Sequence, residues 1–347
     1  MHTGAGMVSE RVGLLLRLHA DNGLVGIGEV APHPAAGAGA LAEAVCAIAG
    51  AQEALCAAAS WPIDRLLEIA DALPSPVALA GLEMAGYDLH ARAAGLPLAA
   101  VLGRVRRRRV PVNATLAQRQ PEAAAAAARA AAASGLSCLK LKIAGSKVDD
   151  EVARLAAIRA AVGDAMLLRL DCNASWTVDE AIAALPRLAP YGIDYVEQPV
   201  ADIAGLAAVR AVVPLAIAAD ESAGDSAAIR AIAAAAAADV IILKPALVGL
   251  RKAAEMARTA RACGLDVVVT SAFDSSIGVA AALHLAATLP EPLRHCGLAT
   301  AELLAGDLTA VPLLAAGGHL RLPPGVGLGV TVSHSRLTRW GRESCQR

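Results

Sequence analysis

"CLKLKIAG", residues 138–145, sets two lysines, Lys140 and Lys142, two positions apart inside an apolar run. Side chains of a strand alternate with a period of two, so both ammonium groups leave the strand on one side. The flanking residues read as a core strand, so that side is expected to be buried. Burying one ammonium is costly, and two like charges side by side cost more. The run therefore asks for a fold that gathers negative charge beside it.

Outward from this stretch a rhythm runs along the chain. "VPVNATL" (110–116), "CLKLKIA" (138–144), "MLLRLDCN" (166–173), "YVEQPV" (195–200), "LAIAADE" (215–221), "VIILKPA" (240–246), "VVVTSAF" (267–273) and "HCGLAT" (295–300) alternate with alanine- and leucine-rich helical stretches. Their starts lie 20 to 29 residues apart. That spacing holds a strand, a turn, a helix and a return turn, and eight such units are what a (β/α)8 barrel requires. The first hundred residues differ. "RVGLLLRLHADNGLVGIGEVAP" predicts a strand, a turn at Asp21–Asn22–Gly23 and a second strand. Helices follow to about residue 103, among them "LAGLEMAGYDLHARAAGLPL", closed by Gly95 and Pro97. The expected fold is α/β: an α+β capping domain over 1–108, completed by a C-terminal tail over 314–347, on a modified TIM barrel, (β/α)7β, over 109–313.

Composition narrows the partners. Hydrophobic residues make up 56% of the 347, much of it alanine, but the longest uncharged run, Ser275–Pro290, contains His284 and falls short of the roughly 18–20 residues a spanning helix needs. The N-terminus lacks a signal-peptide pattern, so the sequence reads as that of a soluble protein. A net charge of −1 suggests neither nucleic acid nor an anionic membrane. The basic cluster "RVRRRRV" (104–110) reads as a solvated linker or a homo-oligomer surface, since seven aromatics leave few platforms for stacking bases. Seven scattered cysteines without CxxC spacing read as reduced, buried thiols in a cytoplasm.

Charged residues recur at the ends of the barrel strands. Lys140 and Lys142 lie on the second, Asp171 and Asn173 on the third, Glu197 on the fourth, Asp220 on the fifth and Lys244 on the sixth. Catalytic residues of such barrels gather at the C-terminal strand ends, so three carboxylates converge there from neighbouring strands. Three carboxylates repel one another unless a cation neutralises them, and hard oxygen donors without His or Cys suit Mg²⁺, with Mn²⁺ as an alternative. The lysines flank this anionic site, and crowding by cations is expected to lower a lysine's pKa towards working pH. One strand-end carboxylate alone is more often a helix cap; the ordered set is the signal.

That set, K-x-K, D-x-N, E-Q-P, D-E-S and K-P, resembles the enolase superfamily and within it the muconate-lactonizing-enzyme subgroup. The resemblance runs from "GEVAP" to "CGLATAELLAGDL". The seventh strand lacks the histidine of the mandelate-racemase subgroup. Two departures stand out: family members carry a further strand before "HTGAG", and few aromatics are available to stack on a substrate ring. "SAFDSSIGVAAALHLAATLP" with a neutral eighth strand, "CGLAT", looks most like the subgroup's o-succinylbenzoate synthases of menaquinone biosynthesis. The resemblance implies a small carboxylate substrate and Mg²⁺ on Asp171, Glu197 and Asp220. Lys142 becomes the base, Lys140 the neighbour that depresses its pKa, and Lys244 a cation over the opposite face. The alternatives are an N-acylamino acid racemase or dipeptide epimerase, with Lys244 as a second base, and, more remotely, a barrel that binds without catalysis.

Around these, Asn173 reads as orienting a lysine or ligand or as a turn residue, and Glu221 as pairing with Lys140 or capping a helix. Ser271 is a candidate for a substrate carboxylate, and Ser275 and Ser276 for helix caps. The loop around Pro32–Ala40 is expected to close over the barrel mouth, with His33 read first as a solvated loop residue. His90, His284 and His295 read as structural.

Overall fold

The computed structural model describes residues 10–33, 36–37, 39–57, 63–143 and 145–341, and the backbone of 2–3 and 6–7. Strands β1 (His2–Thr3) and β2 (Gly6–Met7) pair antiparallel, and β3 (Leu14–His19) with β4 (Val25–Val30) forms the expected hairpin about Gly23, whose φ is +81°. Helices α1 (Gly39–Gly50), α2 (Gln52–Cys56), α3 (Ile63–Asp71), α4 (Pro76–Ala93) and α5 (Leu98–Leu102) follow. Helix α4 starts where its sequence supplies a Ser75 cap and a first-turn proline, and it ends before Gly95, at φ +67°. The hairpin lies tight on it: a Cβ at Gly28 would meet the Gly81 carbonyl oxygen at 2.1 Å, so only glycine permits the approach.

The second half is the barrel. The first strand run divides into β5 (Arg109–Pro111) and β6 (Ala114–Leu116); then come β7 (Cys138–Lys142), β8 (Leu167–Asp171), β9 (Ile193–Glu197), β10 (Ile217–Ala219), β11 (Val240–Leu243) and β12 (Asp266–Val269). Strands β6 to β12 form one parallel sheet in sequence order. The predicted eighth strand is reduced to two bridging residues. Cys296 donates to Pro111 O at 2.7 Å and Gly297 to Val269 O at 2.9 Å, which closes the ring between β12 and the β5–β6 segment. Outer helices are α6 (Pro121–Ala133), α7 (Val148–Val162), α8 (Val178–Leu188), α9 (Ile203–Val212), α10 (Ser226–Ala234), α11 (Pro245–Val248), α12 (Leu250–Ala262) and α13 (Ser276–Thr288). The uncharged run of the sequence is α13, 13 residues long and buried almost throughout. Among the described residues no helix is long and apolar enough to cross a membrane.

Strand β13 (His319–Arg321) pairs antiparallel with β5, and α14 (His334–Trp340) follows. Between them Leu328 and Val330 pack with Ile27 of the hairpin and Met84 of α4, so the tail closes onto the N-terminal layer. The basic cluster is bound to the end of α13: Arg107 donates to Ala286 O and Leu289 O and pairs with Glu291, and Arg106 donates to Thr288 O.

Period-two alternation is carried through on β7. Leu139 and Leu141 are fully buried against the helices, while Lys140 and Lys142 face inward. Each buried leucine contributes about 1.5–3 kcal/mol, which anchors the strand while its charged face turns into the barrel. The barrel middle is filled by Tyr195, Ala218, Val240, Ile242 and Val268. Below it, Arg169 is wholly buried, donates to Asp194 at 2.9 Å and lies 4.6 Å over the Tyr195 ring. Arg294 continues the network to Asp194 at 2.8 Å and Asp266 at 2.6 Å.

The cysteine expectation needs a correction. Cys138, Cys172 and Cys296 are buried, but Cys46 and Cys56 are exposed, because the short helices that carry them lie on the outside. Cys345 lies outside the described residues.

Candidate active site

Strand register alone brings the ionic residues together. Lys142 is the β-partner of Asp171, and Asp171 of Glu197. Lys142 Nζ donates to Asp171 Oδ2 at 2.8 Å and to Asn173 Oδ1 at 2.9 Å. Lys140 Nζ lies 2.9 Å from Asp171 Oδ2 and 2.6 Å from Glu197 Oε1. Lys244, at the end of β11, donates to Asp220 Oδ2 at close range. Strands β7 and β11 are four positions apart in an eight-position ring, so Lys142 and Lys244 face one another across the mouth, with the β9 carboxylate between them.

The site opens into a cavity of about 720 Å³. Lys140, Lys142, Asp171, Asn173, Asp220, Glu221 and Lys244 line one part, and Thr115, Thr270, Ser271, Phe273, Gly297 and Thr300 another. Ser271 sits where the sequence placed it, with its hydroxyl 2.6 Å from that of Thr300. His33 also lines the cavity, so it is a wall residue and not the solvated loop histidine first expected. Burial, then the Lys244 charge, pushes its imidazole down to about 4, so it is neutral at pH 7. Ala36 joins it, while residues 34, 35 and 38 of the Pro32–Ala40 loop lie outside the described residues.

Charge at the site is unevenly compensated. Burial works to lower the Lys140 pKa, but Asp171 and Glu197 outweigh it and hold the ammonium well above the ordinary lysine value. Lys244 is likewise raised, burial being outweighed by Asp220 and Glu197. The expected lowering by cation crowding is therefore not seen at these two lysines, because the attraction of the carboxylates outweighs both burial and the other cations. Asp171 is driven below the usual carboxylate range, Lys140 and Lys142 outweighing its burial. Glu197 goes the other way. Burial and then the Asp171 charge push it up to about 7, and its Oε2 is buried with no hydrogen-bond partner among the described residues.

Two further assignments are sharpened. Asn173, in left-handed conformation at φ +45°, accepts from Lys142 and so holds the lysine; asparagine tolerates that conformation better than most residues. Glu221 does not reach Lys140. It accepts from Asn173 Nδ2 at 3.3 Å, and burial with the neighbouring Asp220 charge raises its pKa. Ser275 caps α13, accepting from Ile277 N, whereas Ser276 is bonded through its N–H and hydroxyl to Asp307 and caps nothing. His284 accepts from Ala99 N at 3.0 Å, deep in the seam, and His295 lies 2.9 Å from the Ser137 hydroxyl.

Sequence reasoning passed over Gln198. It follows Glu197 at φ +39°, its Oε1 accepts from the N–H groups of Asp220 and Ser222, and its Nε2 donates to Val200 O and Ser222 Oγ. Every polar group of this buried amide is used, so it fixes the strand end that presents Asp220. It passed over Arg154 too: fully buried and paired with Glu151, Arg154 donates to Lys142 O and Leu116 O at 3.1 Å each. The signal available was an arginine on the inner face of a helix, which only a counted helical wheel would show.

Among the described residues no three metal-ligating side chains close up into a metal cage, because ammonium groups stand between the carboxylates. The donor set still fits a hard divalent ion. Asp171, Glu197 and Asp220 come from the ends of consecutive strands, all donors are oxygen, and Glu197 Oε2 has no donor among the described residues.

Comparison with known proteins bears on the same residues. Residues 122–336 match the family described as enolase C-terminal domain-like, and residues 1–103 that described as mandelate racemase / muconate lactonizing enzyme, N-terminal domain. An o-succinylbenzoate synthase of Thermobifida fusca is 44% identical over 233 residues, covering 66% of this chain and 69% of that protein. A hydrophobic dipeptide epimerase of Enterococcus faecalis is 32% identical over 338 residues, covering 94% and 93%. A solved structure of a dipeptide epimerase from Enterococcus faecalis V583, complexed with Mg and the dipeptide L-Leu-L-Tyr, superposes with a TM-score of 0.85 at 28% identity, over 94% of each chain.

Proposed function

Because the chain belongs to the mandelate racemase / muconate lactonizing enzyme family of the enolase superfamily, we infer that it removes a proton α to a carboxylate and acts as an o-succinylbenzoate synthase. The observation that carries the reading is the pairing of Lys142, held by Asp171 and Asn173, with a cavity whose eighth-strand wall, Gly297 and Thr300, is uncharged. A wall without a carboxylate suits a substrate without a free ammonium group. The reaction would be syn-dehydration of a 2-succinyl-6-hydroxycyclohexadiene carboxylate, a step of menaquinone biosynthesis in the cytoplasm.

Enolase-superfamily members depend on a divalent metal, typically Mg²⁺. Asp171, Glu197 and Asp220 would hold it here, and when bound it supplies positive charge beside the substrate carboxylate. The chain's own groups do the rest. Lys142, as the free amine, takes the α-proton, and its ammonium then gives a proton to the hydroxyl that leaves from the same face as water. The C–O bond breaks, a ring double bond forms, and the ring becomes aromatic. Asn173 aims Lys142. Lys140 stays charged between Asp171 and Glu197 and, with Lys142, keeps Asp171 ionised. Lys244 faces the other side of the ring as a cation, and His33 and Ala36 of the cap line the cavity above it.

One feature favours a second reading, an N-acylamino acid racemase or dipeptide epimerase. Two lysines oppose one another across the mouth, as a two-base reaction requires, and an epimerase is similar over nearly the whole chain. The test is turnover of purified protein on the cyclohexadiene carboxylate and on both enantiomers of an N-acylamino acid, with Mg²⁺ and with chelator. Metal-dependent dehydration at the higher kcat/KM supports the synthase. Racemisation alone replaces it with the second reading, and full activity in chelator removes both.

A further inference from the structure

Arg11 plays no part in the chemistry above, yet two of the backbone carbonyls it binds belong to residues of the cavity wall, Ala272 and Phe273. It stands just before β3, and its guanidinium reaches across the seam between the capping layer and the barrel. Nη2 donates to Ala31 O at 2.6 Å and to Ala272 O at 3.1 Å, Nε donates to Phe273 O at 3.3 Å, and Nη1 donates to Pro32 O at close range. Ala31 and Pro32 lead directly into His33, while Ala272 and Phe273 leave the end of β12. His33, Ala272 and Phe273 all line the cavity.

The wall it holds is unusual. Phe273 is the only phenylalanine of the chain and sits at φ +64°, a left-handed conformation that a bulky side chain adopts only when its surroundings impose it. The charge of Arg11 is matched from the same seam. Glu29 and Asp274 attract it, and they abut one another at the start of α13, where a Cβ on Gly278 would meet Asp274 at 2.6 Å and Glu29 at 3.2 Å. Both are otherwise engaged in holding the same turn: Glu29 accepts from Ser275 N, Ser275 Oγ and Gly278 N, and Asp274 Oδ2 from Ala272 N. Only a planar five-donor fork serves four carbonyls of two separate segments; an ammonium has three donors on a point.

We propose that Arg11 is a positioning residue of the active site: by binding four carbonyl oxygens across the seam it fixes His33 and Phe273 as one wall, against which the ring and acyl tail of the substrate rest. It acts on substrate binding and choice, not on proton transfer, because none of its contacts reaches Lys142, Lys244 or the carboxylates between them. The inference rests on the proposed function only for the choice of substrate.

The experiment compares Arg11→Met and Arg11→Lys with the wild type on whichever of the two substrate classes the wild type turns over, alongside hydrogen exchange of the unliganded proteins. The loss of charge-assisted bonds is expected to raise KM about 10–100-fold in Arg11→Met, with kcat within about threefold, the signature of lost uniform binding. Arg11→Lys should fall between the two. Exchange should quicken at residues 31–33 and 271–275 and stay unchanged in β7–β9. An unaltered KM with locally quickened exchange overturns the proposal, because the substrate then does not feel the clamp. So does a parallel loss of kcat, KM and melting temperature with exchange quickened everywhere, which marks a residue that only holds the fold. If the wild type turns over neither substrate, the functional reading fails on its own, and unchanged exchange at 31–33 and 271–275 then overturns the clamp.

Discussion

The two ends of this barrel are both ionic and both buried, and they are built differently. At the N-terminal end the cations are arginines: Arg169 and Arg294 share Asp194, Arg294 and Arg261 share Asp266, and the Arg169 fork also reaches Asn113 and His295 O. At the C-terminal end the cations are lysines, each a point charge, and Glu197, pushed up to about 7, keeps one oxygen without a partner among the described residues. A delocalised, permanently charged fork suits a network that must not change, whereas an amine that can lose its proton suits a network that must. The contrast teaches that buried charge at one end serves the fold and at the other the chemistry, and substitutions should separate the two.

The largest effect is expected at the C-terminal end and in activity alone. Lys142→Ala should lower kcat/KM by about 10²–10⁴-fold, the usual contribution of a general base. Its melting temperature should hardly move, because Asp171 keeps Lys140 at 2.9 Å. Retained turnover on every substrate would break the comparison at its strongest point.

The mirror experiment is Arg169→Met. Removing one partner from a buried ionic network costs about 3–5 kcal/mol, and the chain should lose that much in denaturant unfolding while the fraction still folded keeps its kcat. Asp194 retains Arg294, which sets the loss towards the lower figure. Loss of kcat without loss of stability would mean that the lower end is coupled to the site.

A smaller effect separates the carboxylates from the lysines. Mg²⁺ at a hundredfold excess over its Kd should stabilise the wild type by about 2.7 kcal/mol. In Glu197→Gln most of that gain should vanish, since the buried carboxylate with the orphaned oxygen has become a neutral amide. Thermal unfolding with and without Mg²⁺ reads this directly, and an undiminished gain would remove Glu197 from the ligand set.

Much of this contrast is legible in the sequence, for physical reasons that differ along the chain. Lys140, Lys142, Asp171 and Asn173 are readable because strand period and strand register are local rules, and the charges stand out from aliphatic surroundings. The hairpin about Gly23 and the ends of α4 follow from turn and cap chemistry. The eighth strand is less readable, since closure needs only the backbone of Cys296 and Gly297 and leaves no side-chain pattern. Arg11 was hidden for another reason. Its partners lie 20–21 and 261–262 residues away and are carbonyl oxygens, which carry no residue identity. His33 was misread because an N-terminal loop looks solvated until the barrel mouth beneath it is seen. The direction of the lysine pKa shifts is not legible in the sequence, because it depends on distance: the carboxylates lie 2.6–2.9 Å from Lys140, and their attraction wins.

The smallest expected effect lies at Lys244, and it decides between the two reactions. In a racemisation, protons leave and arrive on opposite faces, so Lys142 and Lys244 are both needed as bases. In a syn elimination Lys142 suffices, and Lys244 contributes only its charge, paired to Asp220. Lys244→Arg keeps the charge but cannot act as a base near pH 7, because the guanidinium pKa exceeds about 12. The variant should lose racemisation of either enantiomer of an N-acylamino acid while dehydration falls by only about tenfold, a misfit of ~1.4 kcal/mol from the broader fork. Exchange of the α-proton in D₂O, followed separately on each enantiomer beside dehydration kinetics, distinguishes the faces. Exchange should persist on the enantiomer that faces Lys142 and stop on the other. Should the arginine variant still racemise, Lys244 is not the second base, and the facing pair across the mouth is an electrostatic device after all.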